Sequence, residues 1–171
     1  MKIKVRQNVF ILFLVCFSLV SLHNSHAQQN KIYELKDQKA LKNPNNIGAE
    51  DHTIPHDFLF SLKPTIYLKN NAILNVTGLN KPVGLTSYDG SSLSILKTEN
   101  PLFNSVKVLK IQLNEPSDLG KVLDFSSIRE FSSLQYIYVM CYFKCTEHQI
   151  RAFIQNANPE IIVYFENVNP S

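Results

Sequence analysis

Apolar residues in the C-terminal part of the chain fall into three short runs separated by polar or turn-forming stretches. Val106-Lys107-Val108-Leu109-Lys110-Ile111-Gln112-Leu113 alternates apolar and polar side chains and stops at Asn114-Glu115-Pro116, which predicts a strand over about 106–113. Leu134–Met140 is aromatic and β-branched and predicts a second strand over about 134–140; Ile161–Phe165 predicts a third over about 161–165. Between the last two, Thr146 followed three residues later by Gln149 forms a capping box. Ile150, Phe153, Ile154 and Ala157 then recur at helical spacing, predicting a helix over about 147–157 with one buried face, closed by Asn158-Pro159. Within Leu123–Ser133, Ile128 and Phe131 stand three apart, with Leu134 three further on, the spacing of a tight helical or 3₁₀ segment. Strands joined by crossovers of this length run parallel, with right-handed connections, so the fold class read from the pattern is α/β.

Upstream the pattern is weaker. Thr65–Gly78 reads as two short strands around Lys69-Asn70-Asn71, and Asp89-Gly90 between β-prone runs in Val83–Lys97 is a hairpin signal. Ile32–Leu41 predicts a short helix stopped at Asn43-Pro44, because proline cannot continue a helix and restricts the residue before it. Asn43–Asp57 is turn chemistry throughout. The organisation expected is a segment 1–27, a polar N-terminal arm or cap over 28–63, and a single α/β domain over 64–171 whose N-terminal part is irregular and partly β.

Residues 1–27 read as an export signal. Lys2, Lys4 and Arg6 form a basic start, Val9–Val20 an apolar run broken only by Ser18, and Ser25-His26-Ala27 a small-residue cleavage site. The run is shorter than the about 18 apolar residues that a membrane-spanning helix needs, so no transmembrane span is expected once it is removed; an uncleaved anchor is the alternative. The localisation expected is exported: secreted, or periplasmic in the cell envelope. The whole chain has 17 Lys and Arg against 14 Asp and Glu, a net charge of +3. Three of those bases and none of the acids lie in 1–27, so its removal leaves 14 of each sign. A chain without a surplus of bases lacks what phosphate neutralisation requires, and nucleic acid is excluded as a partner on that ground. Hydrophobic residues at 44% exclude a disordered chain, and five Gly with eight Pro in no triplet period exclude a collagen-like one.

The three C-terminal runs resemble leucine-rich repeats. Val106-x-x-Leu109-x-Ile111-x-x-Asn114 fits the repeat consensus at every position with Val and Ile accepted for Leu. Leu134-x-x-Ile137-x-Val139 follows 28 residues later, with Tyr142 where Asn or Cys is usual; Pro159-x-x-Ile162-x-Tyr164-x-x-Asn167 follows after 25 more, with Pro at the first apolar position. The register does not extend upstream of Val106. The resemblance covers about residues 106–167, and a compact α/β domain is the competing reading. It implies a short parallel sheet in which Leu109 and Ile111 point to the core. The opposite, concave face would carry Val108, Lys110 and Gln112, then Tyr136, Tyr138 and Met140, then Ile161, Val163 and Phe165. It also implies a non-catalytic interaction protein that binds a protein or a glycan through Lys110, Gln112, Tyr136, Tyr138 and Met140. A face this apolar either receives a partner or is covered by residues 28–100.

Other chemistry is sparse. No glycine-rich phosphate loop and no G-x-S-x-G elbow occurs, and no cofactor and no metal is expected. Cys141 and Cys145 form either a disulfide or two free thiols. Together with His148 they would supply three zinc ligands of four, at a spacing that fits no zinc module. His52 and His56 flank Pro55, which breaks the helix that would put both rings on one face. A small hydrolase assembled from His52, His56, Asp57 and Asp124, and a structural envelope protein, are the alternatives to a binding protein. Asn75-Val76-Thr77 is a glycosylation sequon, relevant only in a host that modifies such sites.

Overall fold

The structure is a computed structural model that describes residues 29–35, 55–78 and 81–168; the segment expected to be an export signal, His52 and most of the polar arm lie outside the described residues. The strands are β1 (Ile32–Glu34), β2 (Thr65–Lys69), β3 (Ala72–Val76), β4 (Gly84–Ser87), β5 (Val108–Leu113), β6 (Leu123–Asp124), β7 (Tyr136–Cys141), β8 (Ile154–Gln155) and β9 (Ile162–Asn167). Among the described residues two α-helices accompany them, α1 (His56–Phe60) and α2 (Glu147–Phe153), with 3₁₀ segments at Ser91–Lys97, Pro101–Ser105, Pro116–Gly120 and Phe125–Ser127.

Seven strands form one sheet in the order β1-β9-β7-β5-β4-β2-β3, parallel throughout except for the β2–β3 pair. From β2 to β9 each parallel strand adds beside its predecessor, so the chain advances across the sheet in one direction. The expected side-by-side parallel arrangement of the three C-terminal strands is present. Side chains alternate across a strand. One face therefore carries Ile66, Leu85, Leu109, Ile137 and Val163 in a first row and Leu68, Ser87, Ile111, Val139 and Phe165 in a second. All ten are buried. The connecting segments cover this face: Leu93, Leu96, Phe103, Phe131, Ile150 and Phe153 complete the core, with Phe103 and Phe131 stacked at 5.4 Å. Ser87 is the one polar member, and its hydroxyl donates to the Asp89 carbonyl at 2.8 Å, so burial leaves it satisfied.

Helix α2 starts as the sequence dictates. The Thr146 hydroxyl accepts from Gln149 N–H at 3.3 Å, and the Gln149 side chain accepts from Thr146 N–H at 2.9 Å. It ends at Phe153 rather than 157, because Ile154 and Gln155 become β8 and pair with β6, and Asn156 takes a left-handed φ of 55° that no helix interior tolerates. Ile154 and Ala157 still bury with Ile150 and Phe153. The segment after Leu123 is 3₁₀ only over 125–127, yet Phe131 and Leu134 reach the core.

Three expectations are overturned. The segment opening at Ile32 is a strand, not a helix: β1 adds to the open side of β9, where Val163 N–H donates to Lys31 O at 2.9 Å and Leu35 N–H to Phe165 O at 2.7 Å. An exposed row of backbone donors and acceptors outweighs local helix propensity. Asp89-Gly90 is not a hairpin turn. Strand β4 is already paired on both sides by parallel neighbours, and the Asp89 carboxylate instead accepts from Ser92 N–H at 2.8 Å to start the 3₁₀ segment. Gly90 fits there because a Cβ would stand 2.6 Å from the Asp118 carboxylate of the neighbouring loop. The real hairpin is β2–β3, turned by Asn70 and Asn71 with φ of 51° and 58°, the two-residue geometry that asparagine accepts best after glycine.

The third overturned expectation is the register of the last strand. Leu109 and Ile137 align with Val163, not Ile162, so Val163 and Phe165 belong to the core and Ile162, Tyr164 and Glu166 to the opposite face. A one-residue slip exchanges every side chain between faces. Burial decides it, since Val163 is 0% exposed whereas Ile162 is half-buried. The sheet also continues upstream of Val106, through β4 and β2.

Candidate binding face

The face opposite the core is built from one side chain per strand. Tyr67, Thr86, Lys110, Tyr138, Tyr164 and Tyr33 lie in register across six parallel strands. The row to one side holds Gly84, Val108, Tyr136 and Ile162; the row to the other ends in Gln112, Met140 and Glu166. Four tyrosines and one lysine thus share a line, with neighbours about 4.8 Å apart, the strand spacing.

Helix α1 lies on part of this face. Leu59 is 0% exposed and packs with Leu35, Val108, Tyr138 and Tyr164 in a second apolar cluster, separate from the core. Phe58 meets Tyr136 at 5.6 Å and Phe60 meets Tyr138 edge-on at 5.7 Å. Tyr33 and Tyr136 flank Tyr164 at 5.8 and 6.4 Å. Burial, with Tyr136 and Tyr33 adding to it, pushes the Tyr164 phenol up to about 12. The β7–β9 half of the face is therefore covered from within the chain, by residues of the segment 28–100.

The five residues singled out from sequence divide accordingly. Tyr138 is buried at 2% beneath α1, and Tyr136 and Met140 are half-buried against the same cluster. Lys110 and Gln112 stay half-buried on β5, outside that cluster. Beside them lie Tyr67 of β2 and Tyr88, just past the end of β4, whose rings stack at 5.9 Å and 11°. Both tyrosines went unnoticed in the sequence because the runs that carry them do not match the repeat consensus; Tyr-containing β-prone runs at 65–69 and 83–88 were the available signal. Lys63, shortly after α1, places its ammonium 4.2 Å from the centre of the Phe58 ring. Burial holds the Lys110 ammonium below its usual range, and the Lys63 charge pushes it further down.

The remaining candidates are structural or apart. Cys141 and Cys145 are joined in a disulfide, Cα atoms 6.3 Å apart, so neither is a zinc ligand; His148 nearby is exposed. Asn167 clamps the bridge, accepting from Cys145 N–H at 2.6 Å and donating to Cys145 O at 3.2 Å. Glu115 and Asp118 cap the Pro116–Gly120 turn, and buried Asp118 pairs with Lys121 at 2.9 Å. Burial alone would raise the Asp118 carboxyl, but bonds from Lys121 and from Asn114 and Glu115 N–H hold it below the ordinary carboxylate range. Asp124 is bonded to Asn156 at 2.8 Å in the layer that covers the core, whereas His56 and Asp57 ride on α1 over the opposite face. These groups are not brought together. Among the described residues no group of three His, Cys, Asp or Glu is placed to hold a metal, and no helix is long and apolar enough to cross a membrane. No family model, no curated protein and no solved structure matches the chain.

Proposed function

We propose that the protein is an exported, non-catalytic binding protein built as a short leucine-rich-repeat-like array, and that it takes its ligand on the part of the tyrosine face that α1 leaves open. Support for the array is the in-register advance from Gly84 to Val108, Tyr136 and Ile162, at intervals of 24, 28 and 26 residues, close to the repeat length of that class. Two asparagines at strand ends, Asn114 just past β5 and Asn167 as the last residue of β9, also tie a turn to the one before. Asn114 donates to Tyr88 O at 2.9 Å, and Asn167 holds the Cys145 backbone. Export agrees with the basic-apolar start of the sequence and with the Cys141–Cys145 bridge, which persists in an oxidising compartment.

The observation that carries the binding reading is the cluster of Tyr67, Tyr88, Lys110 and Gln112 on one side of a rigid sheet. Rigid aromatic side chains beside adaptable polar ones are what binding surfaces use, because they offer contact area at little entropic cost. The test is a screen of the full chain against immobilised glycans and proteins, repeated with Tyr88→Ser and Gln112→Ala. Capture reduced at least tenfold, with the thermal midpoint unchanged, is the expected result. Equal capture by the wild type and the variants removes this face from consideration.

A further inference from the structure

We infer that β3 is a dimerisation edge: two copies of the chain join β3 to β3, antiparallel about a two-fold axis perpendicular to the sheet, and so run one sheet through both. The sheet ends at β1 and at β3. β1 has three residues. β3 has five, Ala72-Ile73-Leu74-Asn75-Val76, all of them exposed, and among the described residues it pairs with β2 alone. Its outer backbone donors and acceptors form the open row that another extended strand satisfies. Edge strands are ordinarily protected by charge, proline, shortness or a bulge. β3 holds no charge and no proline and is of ordinary strand length, so its one protection is a bulge.

That bulge gathers apolar side chains instead of dispersing them. Tyr67 aligns with Asn75 and Leu68 with Ile73, so Leu74 is the extra residue. In an unbulged strand Ile73 and Val76 would point to opposite faces. The insertion sets both on the core face, one strand beyond Leu68 and Ile66. Those two are 0% exposed, whereas Ile73, Val76 and Leu74 are 43%, 38% and 62% exposed. The cause is topological. The long connections between parallel strands cover the core, and the two-residue turn from β2 to β3 supplies no such cover. Segment Ser91–Lys97 meets that turn, where Asn71 N–H donates to the Ser92 hydroxyl at 3.0 Å, and leaves Ile73 and Val76 partly open. An unpaired backbone and an uncovered margin of the core thus coincide on one strand.

A second copy of the chain fits this edge. The backbone calls for an extended strand, the margin calls for apolar side chains on one side of it, and β3 itself has both. A two-fold axis perpendicular to the sheet keeps core face beside core face, so the Ile73–Val76 margin of one chain meets that of the other in a self-complementary contact. Opposed strands of one sequence set like charges against each other wherever the strand carries them. Ala72–Val76 carries none. Pairing β3 with β1 instead is head-to-tail and builds an open chain rather than a dimer. The contact is small beside a standard interface of about 1,600 Å², which makes the dimer weak and concentration-dependent. The same axis turns both tyrosine faces to one side of the joined sheet, although the inference does not depend on what those faces bind.

The experiment is sedimentation velocity of the full chain from about 5 µM to about 500 µM, for the wild type, Leu74→Lys, Leu74→Glu and an equimolar mixture of the two variants. Leu74 stands mid-strand, so its two copies face each other near the axis. The wild type is expected to pass from monomer to dimer over this range. Either variant alone should associate at least tenfold more weakly at an unchanged thermal midpoint, because like charges then meet, and the mixture should recover the dimer. A wild type still monomeric at about 500 µM, Leu74→Lys dimerising as the wild type does, or a mixture no tighter than its components overturns the inference. Growth of the wild type beyond the dimer into larger species also overturns it, since that is the mark of head-to-tail pairing through β1.

Discussion

Phe60 meets Tyr138 edge to face, ring centroids 5.7 Å apart, and this crossing ties a five-residue helix to the centre of a seven-stranded sheet. A helix this short has no independent stability in water, so its helicity depends on the docking. Leu59, 0% exposed between Leu35, Val108, Tyr138 and Tyr164, is the anchor. Leu59→Ala is expected to cost about 2–4 kcal/mol, the range for emptying a leucine site in a packed interior. Urea denaturation followed by tyrosine fluorescence reads it. A loss below about 0.5 kcal/mol, the scale of an ordinary surface change, would mean that α1 does not seat on the tyrosine face.

Asp89 links the two ends of the sheet's first turns. Its carboxylate accepts from Asn70 N–H in the β2–β3 turn at 2.8 Å and from Ser92 N–H at the start of the 3₁₀ segment at 2.8 Å. Burial by itself would raise this carboxyl, but the bonds from Ser91, Asn70 and Ser92 outweigh it and bring it from its ordinary 3.8 down to about 2. A carboxyl depressed on folding contributes stability that is complete above its unfolded value and is lost as the pH falls toward the folded one. The thermal midpoint of the wild type is therefore expected to fall between about pH 4 and pH 2 more steeply than that of Asp89→Asn. At neutral pH, Asp89→Ala should cost about 1 kcal/mol, as loss of a side-chain cap does. Parallel acid limbs for wild type and Asp89→Asn would show that the carboxylate is not the link.

The C-terminal strands were legible because their apolar runs are long and β-branched, and the cap of α2 because Thr146 and Gln149 need only each other. The register of β9 was not legible. Ile161, Ile162, Val163, Tyr164 and Phe165 are apolar at every position, so no alternation marks the inward face, and only pairing with β7 fixes it. β1 was illegible for a related reason: its strand state depends on the open side of β9, more than 120 residues away in the chain. Tyr67 and Tyr88 stayed hidden because β2 and β4 carry only five and four residues and neither shows the repeat consensus, although β4 keeps its spacing. The register yields a direct comparison. Val163→Asn places an amide in the core and is expected to cost about 3 kcal/mol or more, whereas Ile162→Asn on the half-buried face should cost less than half as much. Equal losses, or the reverse order, would restore the one-residue-shifted alignment.

The Cys141–Cys145 bridge closes a ring of only five residues, so the chain entropy it removes from the unfolded state is small, about 2 kcal/mol by loop-closure reasoning. Its position makes that contribution local. Cys141 ends β7, in register with Leu113 and Asn167, and Asn167 holds Cys145 through both its amide atoms. Reduction should therefore loosen the β7–α2 turn while the Asn167 clamp and the buried positions of both sulfurs keep the sheet intact. A Cys141→Ser, Cys145→Ser pair is expected to lower stability by about 2–3 kcal/mol, since two buried hydroxyls add to the lost cross-link. Adding reductant should lower the wild-type midpoint and leave that of the pair unchanged. A reductant effect of equal size on both proteins would show that the stabilisation does not come from this bridge.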